Sequence, residues 1–205
     1  MKTRKLMAVA LCATACVTTT AFAEDDFGIE SASPVTIADP VNPQPGMIFN
    51  AYNPKESMNR ESLKESVVKL PSQAAIKTNV DKGENFSLDQ VGKMDARVGR
   101  WEGFLKCKRA TKYTFVLNKG ECEGPECGFC FAVNGRVVIP AGGKQASCDV
   151  DLKIGWNKID LVGQYYSYHN LKPLVMAFKP KGSLAEPRLL GPKDFFHDQK
   201  PEEDW

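Results

Sequence analysis

"FCFAVNGRVVIP" occupies residues 129–140 and carries the strongest local fold signal in the chain. Asn134-Gly135 stands between two apolar runs rich in β-formers. A two-residue hairpin turn needs positive φ at both central positions, and Asn-Gly supplies it at least steric cost. A β-hairpin is therefore expected here. On either side, "KYTFVLN" (112–118) is dense in β-formers, and "CDVDLKI" (148–154) puts Cys148, Val150, Leu152 and Ile154 on one face by period two. "GWN" (155–157) is expected to turn the chain into "KIDLVGQYY" (158–166), and "PLVMAFKP" (173–180) closes the series. Upstream, "RVGRWEGFLKC" (97–107) and "GMIFNAY" (46–52) are further strand candidates.

The segment after residue 52 has a different period. Asn53 can cap, Pro54 suits the first helical position, and Glu56 completes a capping-box spacing. Leu63, Val67 and Leu70 recur at helical spacing until Pro71. One amphipathic helix is expected over about 54–69. Residues 71–95 read as loop-rich, with a short strand near Glu84–Leu88. Short strands at regular spacing with a single helix specify a mainly β chain. The expected fold is an antiparallel, jelly-roll-like β-sandwich over 46–190 with one short amphipathic helix.

The ends are different in kind. Lys2, Arg4 and Lys5 precede a short apolar run, Leu6 to Val17, and Ala21-Phe22-Ala23 gives a small-residue cleavage pattern. Residues 1–23 are expected to be a secretory signal peptide cut near Ala23, with acylation at Cys16 as the rival processing. Losing those three cations turns the formal charge from +2 to −1, leaving no basic excess to attract nucleic acid or anionic lipid. No later stretch is long and apolar enough for a membrane helix. Residues 24–45 hold Pro34, Pro40, Pro43 and Pro45 and read as a flexible arm, able to engage an assembly partner or add a strand. Residues 191–205 read as a charged tail.

The segment before the hairpin, "NKGECEGPECG" (118–128), resembles reactive-cysteine chemistry at first sight. Of seven cysteines, Cys12 and Cys16 fall in the signal, leaving Cys107, Cys122, Cys127, Cys130 and Cys148. In an oxidising compartment these are first read as disulfides, and an odd number leaves one over. A thioredoxin-type use of Cys127-Gly128-Phe129-Cys130 would want a helix N-terminus after the first cysteine, but a strand follows. Four thiolates could hold tetrahedral zinc, a state that an oxidising compartment disfavours. Alternating strand directions gather Cys122, Cys127, Cys130 and Cys148 at one end, "the top", and leave Cys107 a strand's length away as a free thiol. Three pairings are open. The favoured one closes Cys122–Cys127 around Gly124-Pro125 and joins Cys130 to Cys148, although strand alternation can turn the last two to different faces. A stapled loop binds with less entropy to lose.

Taken together, "PGMIFNAYN", "FSLDQVGKMDARVGRWEGFLKC", "KYTFVLNKG", "CFAVNGRVVI" and "DVDLKIGWNKIDLVGQYY" resemble, in order and spacing, the protective-antigen-type (PA-fourteen) β-sandwich family, from about Gly46 to Pro180. The resemblance implies a secreted sandwich whose commonest role is carbohydrate or surface binding. Relatives that bind sugar through calcium carry adjacent aspartates in the loop after the Tyr-Thr-Phe strand. Here that loop has none, so calcium would depend on Glu121, Glu123, Glu126 and backbone carbonyls. No cofactor is expected.

The same parity brings "YYSYHN" (165–170) to the top. Tyr166, Tyr168, His169 and Asn170 suit stacking and hydrogen bonding to a glycan or a surface protein, whereas Tyr165 fits packing within the sandwich. The other histidine, His197, sits between Asp194 and Asp198, but a terminal tail is a poor support and no nucleophile with a positioned base is visible. The sequence thus points to a secreted, periplasmic or cell-surface binding module without catalytic activity. Its expected ligand residues are Glu121, Glu123, Glu126, Tyr166, Tyr168, His169 and Asn170. The rival is a structural subunit of a surface filament, pilus or secretion complex.

Overall fold

The structure is a computed structural model that describes residues 37–53, 74–87, 90–91, 97–118, 129–139, 145–164 and 174–199. These all fall within one unit, Val35–Trp205. In chain order the strands are β1 (Pro43–Pro45), β2 (Met47–Tyr52), β3 (Lys77–Asp81), β4 (Val98–Cys107), β5 (Thr111–Asn118) and β6 (Phe129–Val133). They continue as β7 (Arg136–Ile139), β8 (Gln145–Leu152), β9 (Gly155–Gln164), β10 (Val175–Pro180), β11 (Arg188–Leu190) and β12 (Phe196–Asp198). The larger sheet has the order β1-β12-β4-β9-β6-β7, with β2 paired to β4 and β3 to β2; the smaller is β11-β10-β5-β8. All pairings are antiparallel. The chain is an antiparallel β-sandwich.

The hairpin forms where the sequence places it. Asn134 has φ 51° and Gly135 φ 78°, the positive values this turn requires. The Asn134 carboxamide then reaches out of the turn. Its oxygen accepts the Lys158 N–H at 2.9 Å and its nitrogen donates to Asn157 Oδ1 at 3.0 Å. Asn157 is fully buried and also accepts the Lys153 N–H, which fixes the β8–β9 connection beside the hairpin. Gly155 and the two residues after it are the start of β9, so the chain turns at Lys153-Ile154 rather than over 155–157 as expected. Positive φ at Gly155, 90°, lets the strand begin directly after the turn.

Period-two burial divides the strands into two faces. Phe49, Trp101, Phe115, Phe131, Ile159 and Leu161 fill the space between the sheets. Trp101 sits at the centre, 4.8 Å from the Phe49 ring and edge-on to Phe86 at 5.7 Å. Its indole N–H donates to Asp81 Oδ2 at 2.8 Å, and Asp81 also accepts from Gln90 and the Gly83 N–H. That arrangement satisfies the one polar atom of the largest buried side chain. Val150 and Leu152 face the core as expected, while Ile154 lies beyond the strand and is 67% exposed. Among the described residues near Glu84–Leu88 there is only an isolated bridge, Phe86 to Leu174.

The two ends of the sandwich sequence are part of the larger sheet. Pro43–Pro45, placed in a flexible arm by its prolines, pairs with Phe196–Asp198, placed in a charged tail. Proline is tolerated because β1 is an edge strand. The helix expected over 54–69, the signal segment 1–23 and most of the arm lie outside the described residues.

Candidate functional site

The strand registers define one end of the sandwich. Asn118 closes β5 opposite Gln145, which opens β8, and opposite Val175, which opens β10. In the other sheet, Gln164 closes β9 opposite Val98, while Phe129 opens β6 opposite Gly163. Segments 119–128, 140–144 and 165–173 are therefore all anchored at that end. The expected ligand residues Glu121, Glu123, Glu126, Tyr166, Tyr168, His169 and Asn170 belong to these segments and lie outside the described residues, as do Cys122 and Cys127.

The remaining cysteines are placed. Cys107 ends β4 opposite Gly155, at the far end of the sandwich, as a buried free thiol. Cys148 pairs with Phe115 in mid-strand and packs against the main core. Cys130 points to the opposite face of the larger sheet, among Tyr52, Val98, Ala132 and Val162. The expected Cys130–Cys148 disulfide is thus not formed: a sheet separates the two side chains, and Cys148 is a free thiol. Burial pushes the Cys148 thiol up to about 11, reinforced by the Asp149 charge, and burial also raises Cys107. Neither is a thiolate at neutral pH, so neither is poised as a nucleophile.

The outer face of the larger sheet carries a polar ladder that the sequence reading did not single out. Thr78 Oγ1 donates to Asn50 Oδ1 at 2.8 Å, and Asn50 Nδ2 donates to Glu102 Oε2 at 2.6 Å. Arg100 reaches Glu102 Oε1 at 3.0 Å and Asp160 Oδ1 at 2.7 Å, and Lys158 Nζ lies 3.8 Å from Asp160 Oδ2. The ladder crosses β3, β2, β4 and β9, and the Arg100 and Asp160 side chains are only 6% and 2% exposed. Burial alone would lower the Arg100 pKa, but the charges of Asp160 and Glu102 outweigh it and raise it. Beside it, burial and the Glu102 charge push Tyr52 up to about 12. The signal was available: Arg100 and Glu102 sit two apart in β4, as do Lys158 and Asp160 in β9, on strands that are otherwise buried.

This ladder borders a cleft of about 520 Å³. It exists because two ribbons share one edge of β4. The β2–β3 ribbon pairs along Val98–Glu102, whereas β12 pairs only at Phe104 and then diverges. Ile48, Val80 and Phe104 give the cleft apolar walls, and Thr78, Glu102, Lys158, His197, Asp198 and Gln199 give it polar ones. Past Phe104, an aromatic ledge continues: Trp156 stands edge-on to both Phe104 and Phe196, with Lys106 Nζ 4.9 Å from its ring centre. His197, which the sequence put on an unsupported tail, is held in β12 and is 8% exposed.

No protein-family model matches the sequence, and no curated protein matches it. Solved structures do. The PA14 sugar-binding domain from an RTX adhesin aligns with a TM-score of 0.53 at 13% identity, over 75% of this chain and 98% of that one. A subtype-switched epithelial adhesin 9 A domain from Candida glabrata, in complex with beta-lactose, aligns at 0.51 and 11% identity over 81% and 94%. An anti-sigma factor domain-containing protein aligns at 0.51 and 18% identity over 82% of this chain, which spans only 51% of that protein. The chain has the PA14-type β-sandwich fold, in agreement with the resemblance its segments carry.

Proposed function

We propose that this protein is a secreted, non-catalytic binding module that recognises a glycan through the loops at the β5–β6, β7–β8 and β9–β10 end. The observation that carries the reading is the register: Asn118, Gln145 and Val175 stand side by side, so three intervening segments issue from one place. Two of those segments contain the residues suited to a sugar. Tyr166, Tyr168 and His169 offer ring faces and polar tips, Asn170 offers an amide, and Glu121, Glu123 and Glu126 offer acceptors. Similarity in fold to a sugar-binding PA14 domain and to an adhesin domain in complex with beta-lactose supports the same class of ligand. A Cys122–Cys127 ring around Gly124-Pro125 preorganises the first loop, now without help from Cys148. Residues 1–23 direct secretion, which places the module in the periplasm or at the cell surface.

Glycan-array binding of the mature protein tests this. Binding to a restricted set of glycans is expected, lost in Tyr168→Ala and His169→Ala and unchanged by chelator. Absence of binding across a broad array, or binding indifferent to both substitutions, overturns the reading.

A further inference from the structure

We propose that the cleft between the β2–β3 ribbon and β12 is a second ligand site, separate from the loop end, and that it takes a neutral polyhydroxylated ring such as a monosaccharide. Its volume of about 520 Å³ falls in the range of small-molecule pockets, about 300–1,000 Å³. Its chemistry narrows the ligand. The nearby cations are already matched: Arg100 lies between Glu102 and Asp160, and Lys158 faces Asp160. A phosphate, sulfate or carboxylate would find no uncommitted positive charge there. Among the described residues no His/Cys/Asp/Glu group is able to hold a metal ion. What remains is a set of hydrogen-bonding groups on one side and an apolar wall on the other.

Acceptors dominate the polar side. Asp198 Oδ1 accepts the Asn42 N–H at 2.7 Å, and no other described residue bonds its second oxygen. Gln199 and Thr78 can both donate and accept. His197 also lines the cleft and is 8% exposed. Hydroxyls along one edge and C–H groups on one face fit this division of polar and apolar walls, with Ile48, Val80 and Phe104 taking the C–H face.

The test uses the mature protein and free monosaccharides: glucose, galactose, mannose and N-acetylglucosamine. With only two histidines in the chain, the His197 ring resonances can be assigned by comparison with His169→Ala. A saturable shift of the His197 ring signals by at least one sugar is expected. Val80 is 43% exposed, so Val80→Trp fills the cleft from its solvent side without disturbing the core. It should weaken that binding by about tenfold or more, because the indole occupies the space the sugar ring would take. Thr78→Val provides a second, smaller perturbation in the same direction, and Tyr168→Ala should leave the His197 shift intact. No shift with any sugar, a shift undiminished in folded Val80→Trp, or a shift produced by ethylammonium or inorganic phosphate and by no sugar would overturn the proposal. Loss of glycan-array binding in Tyr168→Ala with no His197 response sinks the cleft alone, and the converse pattern sinks the loop-end reading alone.

Discussion

Replacing Asp160 by Asn should destabilise the sandwich by about 2–3 kcal/mol. Removing one partner of a buried ion pair generally costs about 3–5 kcal/mol, because the remaining charge stays in a poor solvent. Here the Arg100 and Asp160 side chains are 6% and 2% exposed and 2.7 Å apart, so the pair qualifies as buried. Two features reduce the cost. Glu102 remains 3.0 Å from the guanidinium, and the Asn carbonyl can still accept one Arg100 N–H. Proton loss offers Arg100 no escape, since a guanidinium stays protonated at neutral pH. Urea unfolding should show a lower midpoint with an unchanged m-value. Thermal unfolding should shift down by about 5–10 °C, at roughly 2–4 °C per kcal/mol for a chain of this size. The exposed pair Lys112–Asp151, 3.7 Å apart with side chains 46% and 81% exposed, is the control. Asp151→Asn should move stability by no more than about 0.5 kcal/mol. The triple variant Arg100→Met/Glu102→Gln/Asp160→Leu should recover much of the loss, because both carboxylates that pair with Arg100 are then removed along with it. Equal effects of Asp160→Asn and Asp151→Asn, or a triple variant less stable than the single, would refute the reasoning.

Two further outcomes follow from close contacts and from titration. Gly191→Ala should destabilise by at least about 2 kcal/mol in urea unfolding, because an added Cβ would lie 2.1 Å from the Glu84 carbonyl oxygen, a backbone atom that no rotamer change can move. An Ala variant as stable as wild type would show that the 83–84 backbone yields freely. Tyr52 is buried, with its pKa raised from 10.0 to about 12, so the folded state holds its proton longer than the unfolded state does. That contribution is complete below about pH 10 and is lost as pH rises toward 12, at up to about 1.4 kcal/mol per pH unit. Stability of wild type and Tyr52→Phe measured across this window should therefore converge or cross in favour of Phe; parallel profiles would remove the titration argument.

Much of the sandwich was legible because its signals are local. Asn134-Gly135 carries its own turn geometry, and the alternating runs in β4, β5, β8 and β9 announce a buried face without reference to partners. The order of segments then placed the 119–128 and 165–173 connections at one end. Other features were illegible because they depend on what lies across the sheet. Pro43–Pro45 and Phe196–Asp198 are three-residue strands with no period of their own, and each is a strand only because it pairs with the other. Cys130 and Cys148 looked like partners by shared loop end, yet one residue of pleat decides a face, and here it puts them on opposite sides of a sheet.

The sequence by itself therefore determined the class of fold, the hairpin, and which connections are anchored at one end, because turn chemistry and period-two burial are properties of short stretches. Only the tertiary structure decided which residues meet. It set Arg100 between Glu102 and Asp160, turned the cysteines apart, and drew Pro43–Pro45 and Phe196–Asp198 into one ribbon on the edge of β4. The cleft beside His197 exists for the same reason: two ribbons compete for a single strand edge, and where one stops and the other has not begun, the sheet opens.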